Sequence, residues 1–150
     1  MKLNTKNFGT IEIDEKGIIN FPCGIPGFAD VKQYVLLGNS GDNSPFRWLQ
    51  SVDRPDLAFP VMDPWVLRPD YTVDVNDGDL EVLKAADPNK MLVLSIVVVP
   101  EDISKMTANL AAPILINTEC KIGKQVILEN REYRTRHYIM EEMRASRGGK

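Results

Sequence analysis

The stretch from Pro45 to Pro64, PFRWLQSVDRPDLAFPVMDP, places large aromatic residues and turn-forming prolines where two strands should meet. It reads as strand, turn, strand. Trp48, Leu49 and Val52 supply core contacts on the first arm, and Leu57, Phe59 and Val61 alternate on the second. The segment from Asp53 to Asp56 supplies the turn, with aspartates that bond their own backbone beside a proline. No nucleophile stands beside a base, and there is no glycine-rich phosphate loop or Cys/His pair, so the chemistry of this stretch is packing and recognition.

Alternation of apolar and polar residues governs the rest of the chain. Phe8 to Asp14 reads as a strand with Ile11 and Ile13 on one face, and Glu15-Lys16-Gly17 turns it into Ile18 to Phe21 as a first hairpin. Pro22-Cys23-Gly24-Ile25-Pro26-Gly27-Phe28 stops pairing, because proline lacks a donor and glycine permits positive φ. Ala29 to Gln33 fits one helical turn, Tyr34 to Leu37 a short strand, and Gly38 to Ser44 a polar loop. Beyond the hairpin, Tyr71 to Val75 alternates again. Asn76 or Asp77 then caps a helix whose Leu80, Leu83 and Ala86 share one face, ending at Asp87-Pro88-Asn89.

Met91 to Val99 is nearly continuous and β-branched, the mark of a central strand covered on both faces. Ile114 to Asn117 and Gln125 to Leu128 form a second hairpin through Cys120 to Lys124, with Gly123 relieving its turn. Tyr133 to Arg144 carries loose helical spacing, and Ser146 to Lys150 frays. Eight or nine short strands with one or two short helices predict a mainly-β domain, a single barrel-like antiparallel sheet over residues 1–138, followed by a charged, frayed tail at 139–150. Closure into a barrel removes exposed strand edges.

At 150 residues, with 43% hydrophobic and 26% charged residues, the chain has the composition of one ordered globular domain. The start lacks an apolar run after Lys2, and no later run is long enough to span a bilayer, which predicts a cytoplasmic protein. Cys23 and Cys120 with the single His137 are too few ligands for zinc, and the two thiols read as small buried or half-buried groups in a reducing compartment. His137, flanked by Arg134 and Arg136, has no triad partner in sequence and reads as structural. Asp53, Asp56 and Asp63 read as turn residues. Asp74, Asp77 and Asp79 around Gly78 miss the calcium-loop pattern, which requires a bidentate glutamate at a set distance. No cofactor or metal is expected.

The net charge of −3 conceals a division. Residues 53–87 hold nine acids and three bases, a balance of −6, and residues 121–150 hold eight bases and four acids, a balance of +4. An acidic middle attracts basic partners and repels phosphate backbones.

Four segments together, Phe21 to Phe28, Pro45 to Pro64, Thr107 to Asn117 and Gln125 to Leu128, resemble the flagellar assembly factor FliW family, in order and at family-like separations over residues 3–138. The tail after Tyr138 is outside the resemblance. The resemblance implies a bacterial cytoplasmic protein that is not an enzyme and binds two proteins. One is flagellin before export, and the other is the RNA-binding translational repressor CsrA. Such a factor binds CsrA at a site away from the RNA groove and disfavours RNA binding allosterically, and accumulating flagellin occupies the factor, frees CsrA and so lowers flagellin synthesis. No membrane, small-molecule substrate or direct nucleic-acid contact is implied.

The residues themselves point to one contact surface. Asp74, Asp77, Asp79 and Glu81 fall where a strand ends and the predicted helix begins, should project into solvent, and suit a basic RNA-binding partner. Two readings from other classes compete. A ligand-binding barrel requires a hollow interior with convergent polar groups. A nucleic-acid binder requires Tyr133 and Tyr138 free to stack beside the basic tail.

Overall fold

The computed structural model describes residues 1–6, 8–38, 46–84 and 91–148. Eleven strands and two α-helices are described: β1 Lys2–Thr5, β2 Gly9–Glu12, β3 Ile19–Asn20, β4 Gln33–Leu37, β5 Phe46–Ser51, β6 Ala58–Met62, α1 Asp77–Leu83, β7 Met91–Val98, β8 Thr107–Ala108, β9 Ile114–Asn117, β10 Ile122–Gln125, β11 His137–Tyr138 and α2 Ile139–Gly148. Neighbours in the main sheet run β7-β6-β5-β4-β3-β10-β9, and β9 pairs back onto β7, so seven strands close into a barrel. Strands β8 and β11 extend one side as a flap. The expected barrel-like, mainly-β architecture is therefore present. One pairing departs from an all-antiparallel sheet: β3 and β10 run parallel, meeting at Asn20 and Ile122.

The barrel is filled. Rows of directly opposed residues such as Leu36, Leu49 and Phe59 point inward across β4, β5 and β6. They join Phe21, Tyr34, Val61, Leu94, Ile114 and Ile116 in the central cluster. Its rings meet edge to face, Phe21 on Tyr34 at 5.1 Å and Phe28 on Phe59 at 5.5 Å between centroids. Among the described residues the Tyr34 hydroxyl has no hydrogen-bond partner, and burial pushes its pKa up to about 12, so it stays neutral.

Because side chains alternate across each strand, the barrel wall also has an apolar outside, covered by three caps. Leu3, Ile11 and Ile13 of the β1/β2 hairpin cover Val35 and Leu37 of β4. Helix α1 and the extended chain before it cover Val93 and Leu115. Helix α2 and the turn around Pro64 cover Val97 and Ala108 through Ile139 and Leu67.

Several local expectations are corrected by distant partners. The first hairpin is β1 with β2, not the segments flanking Glu15–Gly17, which form a 3-10 turn capped by Asp14. Ala29 and Asp30 form a turn rather than a helical one. Trp48 faces outward on β5, half-buried against Phe8 at 5.8 Å between ring centroids, whereas Leu49 fills the core. The turn after β5 is held by Gln50 and Ser51 rather than by the aspartates. The buried Gln50 amide donates to the Ser51 and Leu57 carbonyls at 3.0 and 3.1 Å, and Ser51 Oγ accepts from the Arg54 N–H at 2.9 Å. Asp56 instead pairs with Arg54 at the surface, while Asp63 does cap its turn, accepting from the Trp65 N–H at 2.8 Å. Gly123 lies inside β10, not in the turn. A Cβ there would stand 2.5 Å from the Phe21 ring, and Lys121, with φ +56°, makes the turn. The polar loop at 39–44 and the helix end at Ala86 to Asn89 fall outside the described residues.

The tail does not fray at residue 139. It forms α2, pinned by a partly buried network in which Glu142 accepts from Arg68 Nε at 2.8 Å and lies 2.9 Å from His137 Nδ1. The Arg134 N–H donates to His137 Nε2 at 2.8 Å. These partners assign the ring its neutral form with the proton on Nδ1. Burial raises the Glu142 pKa, but the hydrogen bonds from Arg68 and His137 outweigh it and hold the carboxyl below its ordinary value.

Two outcomes follow. Phe21→Ala should cost about 3–5 kcal/mol in urea unfolding, but Trp48→Ala only about 1–2, because its ring is half-exposed. Equal losses would show that Trp48 belongs to the core. Since the Glu142 pKa is depressed on folding, its stabilisation is complete above the ordinary carboxylate pKa and disappears as pH falls through the folded value. Glu142→Gln should therefore cost about 1–3 kcal/mol at neutral pH, with the gap to wild type closing below about pH 4. Melting temperatures that run parallel from pH 7 to pH 3 would contradict it.

Candidate partner-binding face

The acidic run sits at the start of α1, on the outside of the barrel. Asn76 caps the helix by accepting from the Asp79 N–H at 2.8 Å, and Lys84, with φ +54°, ends it by donating its N–H to the Leu80 and Glu81 carbonyls. Two further contacts fix the helix to the wall. Leu83 is fully buried against Leu115 and Val93, and Asn117 at the end of β9 donates its amide to the Leu83 carbonyl at 2.9 Å. The same Asn117 accepts from the Glu119 N–H at 3.0 Å, so one side chain joins the α1 terminus to the β9/β10 turn. Only the position of an asparagine at the end of an apolar strand marked it in the sequence.

The four acids do not all face solvent. Asp74, Asp77 and Glu81 are exposed, but Asp79 is ion-paired with Lys124 of β10 at 2.9 Å, with side-chain exposures of 15% and 22%. A pair this sheltered anchors α1 to the sheet and contributes little free negative charge. Its partner lies 45 residues away in sequence, which local reading does not see.

Before α1, the extended chain is tied down from both sides. Tyr71 donates its hydroxyl to the Leu110 carbonyl at 2.6 Å, and the Thr72 N–H donates to the Tyr133 hydroxyl at 3.0 Å. Burial raises the Tyr71 pKa far above its ordinary value and keeps the phenol a donor. Between this chain and the segment after β10 lies an open groove of about 280 Å³, with Asp74, Val75 and Asn76 on one wall and Ile127, Leu128 and Glu129 on the other. No residue of the central core cluster lines it.

The remaining candidates take structural roles. Both ring nitrogens of His137 are engaged and its side chain is inaccessible, which removes it as a general base. Cys23 and Cys120 are free and exposed, not buried as expected. Among the described residues no three His, Cys, Asp or Glu side chains converge as a metal site, and no helix is long and apolar enough to cross a membrane. Tyr133 is buried, so the tail lacks one of the two rings a stacking surface would use. Among the described residues the barrel interior is packed with apolar side chains, unlike the hollow, polar-lined interior that a binding barrel needs.

Comparison with known proteins agrees with the fold. The family model for the FliW protein matches residues 2–139. The flagellar assembly factor FliW of Caldanaerobacter subterraneus subsp. tengcongensis is 47% identical over 144 residues, covering 96% of each chain. That of Alkaliphilus metalliredigens is 47% identical over 143 residues, 95% of this chain and 88% of its own. A crystal structure of the flagellar assembly factor FliW superimposes with a TM-score of 0.85 at 42% identity, over 93% of this chain and 96% of that one. With a family match across nearly its whole length and a shared barrel, this chain belongs to the FliW family of flagellar assembly factors.

Proposed function

We propose that this chain is a non-enzymatic cytoplasmic partner switch in flagellum biogenesis, which binds flagellin and the translational regulator CsrA in turn and so relieves CsrA repression of flagellin synthesis. Membership of the FliW family across residues 2–139 carries the reading. The geometry supports it in two ways. A barrel packed with apolar side chains is a scaffold whose function lies on its outer surface. On that surface Asp74, Asp77 and Glu81 stand exposed at the start of a helix that Asn117 and the Asp79–Lys124 pair hold fixed.

A protein that holds RNA carries a basic surface. A negative patch brought beside that surface speeds encounter and disfavours phosphate next to it. Asp79, already neutralised by Lys124, stands apart from this effect. The contact surface in this reading comprises Asp74, Asp77 and Glu81, with Asp79 as its strut.

Asp77→Lys combined with Glu81→Lys should slow association with CsrA about fivefold at low salt, with little change in dissociation. The difference should fade as ionic strength approaches about 0.5 M. Stopped-flow association at several salt concentrations reads both. An unchanged rate and salt slope, in a variant with wild-type circular dichroism, would place the CsrA contact elsewhere. Size exclusion at micromolar concentration tests the partnership itself: one joint peak with CsrA is expected, and two separate peaks would refute it.

A further inference from the structure

The β10 ladder continues beyond Gln125. The Val126 N–H donates to the Pro113 carbonyl at 3.0 Å and the Leu128 N–H to the Ala111 carbonyl at 2.8 Å. Both extend the register that pairs Ile122 with Asn117 and Gln125 with Ile114. Along an extended chain successive N–H groups point to opposite edges. Those of Ile127 and Glu129 therefore face away from β9, and among the described residues they meet no acceptor. Strand β3 covers this edge only at Ile122. Past that point no strand among the described residues pairs with this edge, and Ile127 is 78% exposed.

Natural sheets blunt such edges with lysine, proline or a bulge, or cover them. The run Val126-Ile127-Leu128-Glu129-Asn130 contains neither lysine nor proline. Across the groove, the backbone N–H groups of Val73, Asp74 and Val75 also lack hydrogen-bond partners among the described residues. Two backbone edges with unused hydrogen-bonding groups thus border one cleft of about 280 Å³. Its walls carry the carboxylates of Asp74 and Glu129 and no cation. Lys124, on the same strand, is committed to Asp79, and Arg131 stands just past the groove. An occupant that places a positive charge between the two carboxylates relieves their repulsion.

We propose that this edge accepts an extended segment of a partner protein as an added β-strand, with an apolar side chain over Ile127 and a lysine or arginine against Asp74 and Glu129. The inference rests on reading the chain as a partner-binding protein and specifies how one partner is held. In this mode main-chain hydrogen bonds supply affinity, and the side chains at alternate positions supply selectivity.

The test uses the full ¹⁵N-labelled chain and three peptides blocked at both ends: Lys-Val-Arg-Val-Lys, the same peptide methylated at every second backbone nitrogen, and Glu-Val-Glu-Val-Glu. At millimolar concentration the basic peptide should slow amide exchange at Ile127 and Glu129 about tenfold, and the other two should not. Asp74→Lys with Glu129→Lys should weaken the basic peptide at least about fivefold and admit the acidic one. The proposal is overturned if the two amides exchange at the free rate with saturating basic peptide, or if the methylated peptide protects them equally. Gel filtration with CsrA and with flagellin judges the partner reading separately. Complexes that form while the peptide leaves both amides unprotected refute the added strand alone, and a protected edge without either complex refutes the partner reading alone.

Discussion

Strand β7 is the element on which the rest of the molecule depends. Its first half, Met91 to Leu94, pairs with β9, Ser95 and Ile96 pair with β6, and Val97 and Val98 pair with β8. By pairing on both sides it closes the barrel. Its side-chain alternation also divides the protein into layers. Leu94 points into the central core, Val93 outward beneath α1, and Val97 outward beneath α2. A near-continuous β-branched run is required because both faces of this strand are covered. Shifting the run by one residue would exchange inside for outside and detach both helices.

The acidic surface at α1 inherits its rigidity from this arrangement. Helix α1 is only seven residues long and could not persist alone. It is held by Leu83 in the outer cluster, by Asn117 on its last carbonyls, and by the Asp79–Lys124 pair. Asp77 and Glu81 thus extend from a fixed base. Further along the outward face of β7, the Arg68–Glu142–His137 network does the same for α2, and the only histidine in the chain is spent on that task.

How much of this was legible in the sequence depends on the range over which each feature is decided. The hairpin of β5 and β6, the long strand from Met91, the cap at Asn76 and the strand at Ile114 are local patterns, and each appears where the alternation or capping chemistry puts it. The order of residues in the family segments was enough to identify the FliW relationship. What escaped was chosen by partners distant in sequence. The parallel contact of β3 with β10, the Phe21 ring over Gly123, the Lys124 partner of Asp79 and the docking of α2 through Glu142 join residues 45 to 102 positions apart. Gln50 and Ser51 show the same limit at short range. The pattern marked a turn, but only the closed structure shows that a buried amide and a hydroxyl hold it, in place of the aspartates that turn statistics favour. The acidic run was legible as charge, but not as three exposed carboxylates and one strut.

In the proposed switch one filled barrel serves two protein partners in exclusive turn. It is tested most directly by titrating flagellin into a preformed complex of this chain with fluorescently labelled CsrA and following anisotropy. The label should return to the value of free CsrA as flagellin reaches stoichiometry, with no species containing all three proteins. A stable ternary complex, with CsrA still bound at saturating flagellin, would contradict it.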